Sequence, residues 1–213
     1  MELVTLLPTT RAIRGLTTDA QANIIAVWHN MKEIRMHGRG GQGAVLSAEI
    51  LVAGFVADGK HASGFPMFGF ERRGAPVAAF VRVDDQPIRE RTQIYFPDCV
   101  VILDSSQLSS PHVFAGLKPE GIAVFNARCL PETRPDQNIR LVGWVDATRI
   151  ALEEMGTAIT NTCMLGAFAA TTQWINLDSI LRSLGQYFEG KLLSMNTRSV
   201  ERGFHEVAIK EYC

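Results

Sequence analysis

The sequence lacks the cysteine pattern of a disulfide scaffold or a metal centre. It has four cysteines in 213 residues, at positions 99, 129, 163 and 213, and no two of them form a CxxC pair. Scattered cysteines of this kind favour reduced thiols over a disulfide framework. Their spacing also does not match the ligand spacing of zinc or iron–sulfur sites. We therefore expect no metal site in this chain.

The sequence also lacks a charge excess and long hydrophobic runs. Lys and Arg total 21 against 22 for Asp and Glu, a net charge of -1, whereas nucleic acid or an anionic membrane would favour a basic excess. No run approaches the roughly 20 apolar residues that a membrane span needs. The N-terminus lacks the basic start and apolar core of a secretory signal. These features predict a cytoplasmic protein without nucleic acid or membrane partners.

Common catalytic motifs are missing as well. The chain has no G-x-S-x-G, no H-E-x-x-H, no complete P-loop lysine motif and no paired-carboxylate signature. We therefore expect no catalytic residue in this chain and no activity from it alone.

What is present is material for a sizeable core, since 46% of the residues are hydrophobic. Residues 1–31 are polar and turn-rich apart from one apolar patch at 24–28, which predicts an N-terminal extension. This extension either forms a short helix or becomes ordered only against a partner. Residues 32–213 are predicted to form the folded domain.

Short apolar runs alternate with helical periodicity after residue 32. The runs predict strands at 33–37, 75–83, 99–103, 121–126 and 141–145, and the periodic segments predict helices at 44–59, 146–156, 161–173, 177–187 and 190–205. Asp146 is the expected N-cap of the second helix, and Gly59 and Gly156 are expected to end the first two. This alternation predicts an α/β fold with three layers and a mainly parallel, doubly wound sheet flanked by helices. The 75–83 strand need not be parallel to its neighbours.

A glycine cluster links the first strand to the first helix. It consists of Gly38, Arg39, Gly40, Gly41, Gln42 and Gly43. The G-x-G-x-x-G spacing lets backbone N–H groups approach a phosphate at a helix N-terminus. A tight turn needed only for strand–helix packing is the alternative. A Rossmann NAD site is disfavoured, because Asp58 has the right distance but lies at a helix end instead of a strand end.

A second unusual segment, which we expect to form a loop, spans residues 64–74. Arg72 and Arg73 suit bidentate binding of a carboxylate or phosphate. The residues before them suit a protein–protein interface: Phe65, Pro66, Met67, Phe68, Phe70 and Glu71. A solvated charge pair beside the edge of the core is the alternative.

Other polar residues have simpler interpretations. His37 is expected to be a packed or capping histidine, and Asp104, Ser105 and Ser106 a turn and helix cap. Residues 160–162 are typical of a helix start, after which Cys163 and Met164 are expected in the core.

Two segments together resemble a known family. EIRMHGRGGQGAVLSAEIL and FPMFGFERRGAPVAAFVRVDD are similar to the gamma subunit of the 2-oxoacid:ferredoxin oxidoreductases, the pyruvate and 2-oxoglutarate synthase group. The similarity continues through FPDCVVILDSS, GWVDAT and TNTCMLGAFA, and covers roughly residues 33–205. One departure is Phe70, where the family usually has proline.

The resemblance implies a role within a complex. Enzymes of this family decarboxylate a 2-oxoacid on thiamine diphosphate and Mg, pass electrons through 4Fe–4S clusters to ferredoxin, and transfer the acyl group to coenzyme A. Thiamine diphosphate lies between alpha and beta chains, and the clusters lie in beta and delta chains. The gamma chain is implied to pack on this assembly and help bind coenzyme A. Its glycine cluster, with Arg72 and Arg73, is then expected to face coenzyme A or the partner active site.

Two other functions stay open on sequence grounds. One is a stand-alone nucleotide-binding α/β oxidoreductase, and the other is a purely structural scaffold within the complex. The implied 2-oxoacid pocket belongs to the alpha and beta chains. The F-G-x-E-R-R-G-A-P run favours the pyruvate and 2-oxoglutarate types over the branched-chain and indolepyruvate types.

Overall fold

The computed structural model describes residues 31–67 and 74–212. Within these ranges a single seven-stranded sheet has the order β2-β3-β1-β4-β5-β6-β7. The strands are β1 (Lys32–Arg39), β2 (His61–Pro66), β3 (Pro76–Asp84), β4 (Cys99–Ile102), β5 (Gly121–Asn126), β6 (Ile139–Val145) and β7 (Ala208–Glu211). The predicted N-terminal extension, apart from Met31, lies outside the described residues.

The sheet is mixed but mostly parallel. Strands β1, β4, β5 and β6 pair in parallel, β3 pairs antiparallel with β1 and β2, and β7 pairs antiparallel with β6. Of the seven strands in the described part of the chain, five therefore run in one direction, and β3 and β7 oppose them. The predicted α/β class with a mainly parallel sheet and flanking helices is confirmed. The 75–83 strand, which we expected need not be parallel to its neighbours, is antiparallel to both.

Five helices lie in the described part of the chain. They are α1 (Ala44–Ala57), α2 (Ala147–Met155), α3 (Asn161–Thr172), α4 (Leu177–Leu184) and α5 (Gly190–Glu206). Asp146 caps α2 as predicted, because its carboxylate accepts a hydrogen bond from the Arg149 amide, and Gly156 ends the same helix. Helix α1 has Asp58 as its C-cap, one residue before the expected Gly59. Helix α4 stops at Gly185, earlier than predicted.

The structure corrects the assignment of Phe65 and Pro66 to a loop. Both belong to β2, which pairs with β3 in the register Phe65↔Phe80 and Pro66↔Ala79. None of the six β2 residues is buried, so the strand has no hydrophobic alternation by which it could be predicted. Its pairing with β3 is what makes it a strand.

The core occupies both faces of the sheet. One hydrophobic cluster combines residues of all five helices with one side of the strands. The other side of the central strands packs against Val113, Phe114 and Leu117, in and beside the short 3-10 helix Pro111–Val113. Strands β4 and β5 are buried along their whole length, which explains their continuous apolar sequences. No helix in residues 31–67 and 74–212 has the length and apolar character to cross a membrane.

Candidate functional site

The glycine loop lies at the topological switch point of the sheet, where the order of the strands reverses. After β1 the chain builds α1, β2 and β3 on one side, whereas β4, β5 and β6 follow on the other side. The loop after β1 and the loop after β4 meet there, since the Leu103 amide donates to the His37 carbonyl at 2.8 Å. Such a switch point at the carboxyl ends of parallel strands is where α/β proteins bind ligands.

Hydrogen bonds fix the glycine loop in one shape. The Arg39 amide donates to the Gln42 side-chain oxygen at 2.8 Å, and the Gln42 amide donates back to the Arg39 carbonyl at 3.0 Å. The Gly40 amide donates to the Ala75 carbonyl, and the Gly74 amide donates to the Gly40 carbonyl. The loop is therefore preorganised by its own side chains and by the segment that leads into β3.

The N-terminus of α1 has no side-chain cap among the residues that the structure describes. Gly43 is its N-cap residue, and no acidic residue lies in the first turn. The first amides of a helix have no partner within the helix, and they favour an anion. Gly43 also meets a packing demand, since a Cβ there would lie 2.6 Å from Nδ2 of Asn161. Asp58, the only acid at a Rossmann-like distance, caps the opposite end of α1.

Asp104 holds the two loops together. Its carboxylate accepts hydrogen bonds from the Gln42 amide group at 2.7 Å and from the Ser106 backbone and hydroxyl, and it lies 3.4 Å from the Arg39 guanidinium. Burial alone would raise the pKa of Asp104, but the hydrogen bonds from Ser106 and Gln42 and the charge of Arg39 outweigh it and lower the pKa. The predicted turn and helix cap is confirmed.

His37 is a packed residue, as expected. Its Nε2 accepts a hydrogen bond from the Arg35 guanidinium at 2.9 Å. Burial, and then the charge of Arg35, lower the pKa of His37 to about 3, so the imidazole is neutral at physiological pH. The predicted core positions of Cys163 and Met164 are confirmed, because both are fully buried.

A cavity of about 460 Å³ opens beside the glycine loop, between the β1–β3 sheet face and the segment 93–113. Arg35, His37 and Arg39 line it from alternate positions of β1. Met67, one of the predicted interface residues, lies on its wall and is exposed. Phe65 instead packs against the Phe80 ring, with centroids 5.3 Å apart. The other predicted residues of this segment, Phe68, Phe70, Glu71, Arg72 and Arg73, lie outside the described residues.

Sequence reasoning missed three residues of this region. Arg35 is buried at the cavity wall, and Tyr95 and Phe96 are exposed side by side. The period of two along β1 could have found Arg35, since it places residues 35, 37 and 39 on one sheet face. The adjacent aromatics carried no periodic signal, because their segment is irregular.

The described residues do not fit the metal cofactors that the resemblance implies. No group of three His, Cys, Asp or Glu in residues 31–67 and 74–212 could hold a metal ion. Cys99 and Cys163 are buried, and burial raises the pKa of the Cys163 thiol to about 12, which opposes the thiolate form that a cluster needs.

Comparisons with known proteins agree with this architecture. The family model described as pyruvate ferredoxin/flavodoxin oxidoreductase matches residues 33–206. A pyruvate/ketoisovalerate oxidoreductases common subunit gamma from Thermococcus kodakarensis is 47% identical over 184 residues, covering 85% of this chain and 100% of the relative. The gamma subunit of an NADH-dependent phenylglyoxylate dehydrogenase from Aromatoleum evansii is 46% identical over 181 residues, covering 84% of this chain and 95% of that subunit.

A solved structure shares the fold as well. The pyruvate oxidoreductase subunit PORC from Thermotoga maritima has a TM-score of 0.76 at 34% identity, and the match covers 85% of this chain and 99% of that one. The resemblance carried by the glycine loop and the F-G-x-E-R-R-G-A-P run is thereby confirmed. The chain belongs to the pyruvate ferredoxin/flavodoxin oxidoreductase family and corresponds to its gamma subunit.

Proposed function

We propose that this chain is the gamma subunit of a cytoplasmic 2-oxoacid:ferredoxin oxidoreductase that converts pyruvate or 2-oxoglutarate to acyl-coenzyme A. The observation that carries this proposal is the 47% identity to a gamma subunit along that relative's whole length. The alpha, beta and delta chains of the complex hold thiamine diphosphate, Mg and the 4Fe–4S clusters and pass electrons to ferredoxin. The cysteines described here, two of them buried, are consistent with that division.

Other chains select the 2-oxoacid. The Thermococcus relative is named as a subunit common to pyruvate and ketoisovalerate oxidoreductases, so one gamma chain serves two substrates there. The Aromatoleum relative belongs to an NADH-dependent phenylglyoxylate enzyme. Both names support a gamma subunit that determines neither the substrate nor the electron acceptor of its complex.

The glycine loop contributes a coenzyme A contact. Its anion-suited features are the uncapped N-terminus of α1 and the Arg39 side chain, which is 37% exposed and held by Ser106 and the Gly74 carbonyl. Arg72 and Arg73 follow Met67 by a few residues, and Met67 lies on the cavity wall beside the loop. Two arginines and free helix amides are the donors that phosphate groups of coenzyme A require.

The test replaces Arg72 and Arg73 by alanine in the assembled complex. A lost charge-assisted contact costs about 1–3 kcal/mol, so we expect the affinity for coenzyme A to fall about tenfold or more while the subunits stay together. The matched control replaces the exposed pair Arg89 and Arg91 by alanine, which should change neither property. Unchanged affinity and assembly in the Arg72 and Arg73 variant would refute the contact, and dissociation at unchanged affinity would assign the segment to an interface.

A further inference from the structure

Arg35 is a buried cation without a described acidic partner. It is 8% exposed, and no carboxylate in residues 31–67 and 74–212 lies within ion-pair distance of it. Its guanidinium instead donates to the carbonyls of Ile94, Val113 and Ala115 and to the His37 ring. These groups are all neutral, so no group in residues 31–67 and 74–212 within ion-pair distance balances the positive charge. Buried charges in proteins are normally paired, because an unpaired one is costly.

The same arginine faces space that a ligand could fill. It lines the cavity of about 460 Å³, which is within the size range of small-molecule sites. Guanidinium groups have five N–H donors, of which Arg35 uses four on described partners, so one on Nη1 remains. The other walls are largely apolar and include Phe80, Ile94 and Val113.

We propose that this cavity binds a small organic anion, with its carboxylate or phosphate group at Arg35 and its apolar part against Phe80, Ile94 and Val113. The anion supplies the negative charge that the described protein groups do not. The apolar part gains contact with walls that are already formed, so little reorganisation opposes binding. This site lies on the sheet face that carries the Arg35 and His37 side chains. Arg39, which also lines this cavity, belongs to the glycine-loop contact proposed above, whereas the site proposed here is centred on Arg35.

The test measures binding of phenyl phosphate and benzoate to the full chain by calorimetry, with phenol as the neutral ligand of similar shape. We expect both anions to bind at least tenfold more tightly than phenol. Arg35→Met removes the charge, and Ala78→Leu fills the cavity from β3 while keeping Arg35. Each variant should weaken anion binding at least tenfold. The control Arg140→Met removes an exposed arginine paired with Glu120 and Glu211 and should bind like the wild type.

Four results would overturn the proposal. They are phenol binding as tightly as the anions, no binding of either anion, a folded Arg35→Met chain that binds the anions like the wild type, and anion binding that Ala78→Leu leaves unchanged, which would place the anion outside the cavity. If Arg35→Met does not fold, the cavity-filling variant and the comparison with phenol decide the matter, because neither removes the arginine. Phenyl phosphate binding without benzoate binding would identify the ligand group as a phosphate.

Discussion

Two constraints, one on the backbone conformation and one on packing, favour glycine at position 43. Its φ of +80° is in the left-handed region, and a Cβ at this position would lie 2.6 Å from Nδ2 of Asn161. Gly41 in the same loop has a φ of +96°, but a Cβ there would meet no atom of residues 31–67 and 74–212 within 4 Å. An alanine at position 41 would therefore add backbone strain alone, whereas an alanine at position 43 would add both backbone strain and steric overlap.

We expect Gly41→Ala to lower the free energy of unfolding by about 1–2 kcal/mol, the cost of a left-handed conformation for an L-residue. Gly43→Ala should cost at least about 1 kcal/mol more, because Asn161 must also move. Urea denaturation of both variants measures the difference. Equal costs would show that Asn161 does not constrain the loop.

The sequence predicted single residues best where a local rule decides their role. Asp146 and Asp104 cap the elements that follow them, because short polar side chains bond to nearby amides. Arg35 escaped prediction because its partners are carbonyls 59 to 80 residues away in the sequence. The period of two along β1 places Arg35 on one sheet face with His37 and Arg39, but its burial depends on these distant contacts, which no local pattern encodes.

Helices α3 and α5 approach each other through glycines. A Cβ at Gly166 would overlap the carbonyl oxygen of Val200, and one at Gly203 would overlap that of Cys163. Backbone carbonyls in a helix cannot move aside as a side chain can. The close contact between the two helices therefore requires residues without a side chain at positions 166 and 203.

Gly166→Ala should lower the free energy of unfolding by about 2 kcal/mol, because an overpacking cost of about 3 kcal/mol outweighs the gain of about 1 kcal/mol in helix propensity. Gly54→Ala in α1 is the matched control. Its added Cβ would meet the flexible end of Ile175 at 2.9 Å, so we expect a loss below about 1 kcal/mol. Urea midpoints compare the two, and a Gly166→Ala chain as stable as the Gly54→Ala chain would contradict the close approach.

Ion pairs join α2 to α5. Six residues form this network: Arg149, Glu153, Glu154, Arg198, Arg202 and Glu206. Hydrogen bonds from Arg198 and then Arg202 lower the pKa of Glu154. A carboxyl whose pKa is lower in the folded state stabilises the fold above its unfolded pKa, and this contribution disappears as the pH falls through the folded pKa.

We therefore expect Glu154→Gln to be destabilising at about pH 6, and progressively less so as the pH falls below the ordinary glutamate pKa of about 4.3 towards the lowered pKa of the folded state. Glu201→Gln on the same α5 helix is the control, since Glu201 makes no ion pair with the described residues. Free energies of unfolding across this pH range measure the effect. A Glu154→Gln effect that is independent of pH would exclude an ionic contribution.

Whole elements were predictable when their own residues are buried. Strands β4 and β5 and helix α3 carry clear apolar patterns, and the structure confirms them. Strands β2 and β7 were missed because none of their residues is buried. Such edge strands are specified by the neighbour they pair with, which the sequence of the strand itself does not reveal.

At the scale of the whole molecule, the fold and the geometry of the site do not by themselves specify the function. A switch-point loop that can receive an anion suits many α/β proteins, and fold does not imply function. The combination of the glycine loop with the F-G-x-E-R-R-G-A-P run pointed to the family, and the match over residues 33–206 shows it. The sequence could not reveal the substrate, because we place its pocket in other chains.

The central claim is that this chain works as the gamma subunit of a multi-subunit oxidoreductase. The most direct measurement is anaerobic purification of the tagged full chain from its native host, with mass spectrometry of every protein that accompanies it. We predict that a thiamine-diphosphate-binding chain and a cluster-bearing chain co-purify, and that the material oxidises a 2-oxoacid in the presence of coenzyme A. A chain that purifies alone with a bound nucleotide would contradict the account.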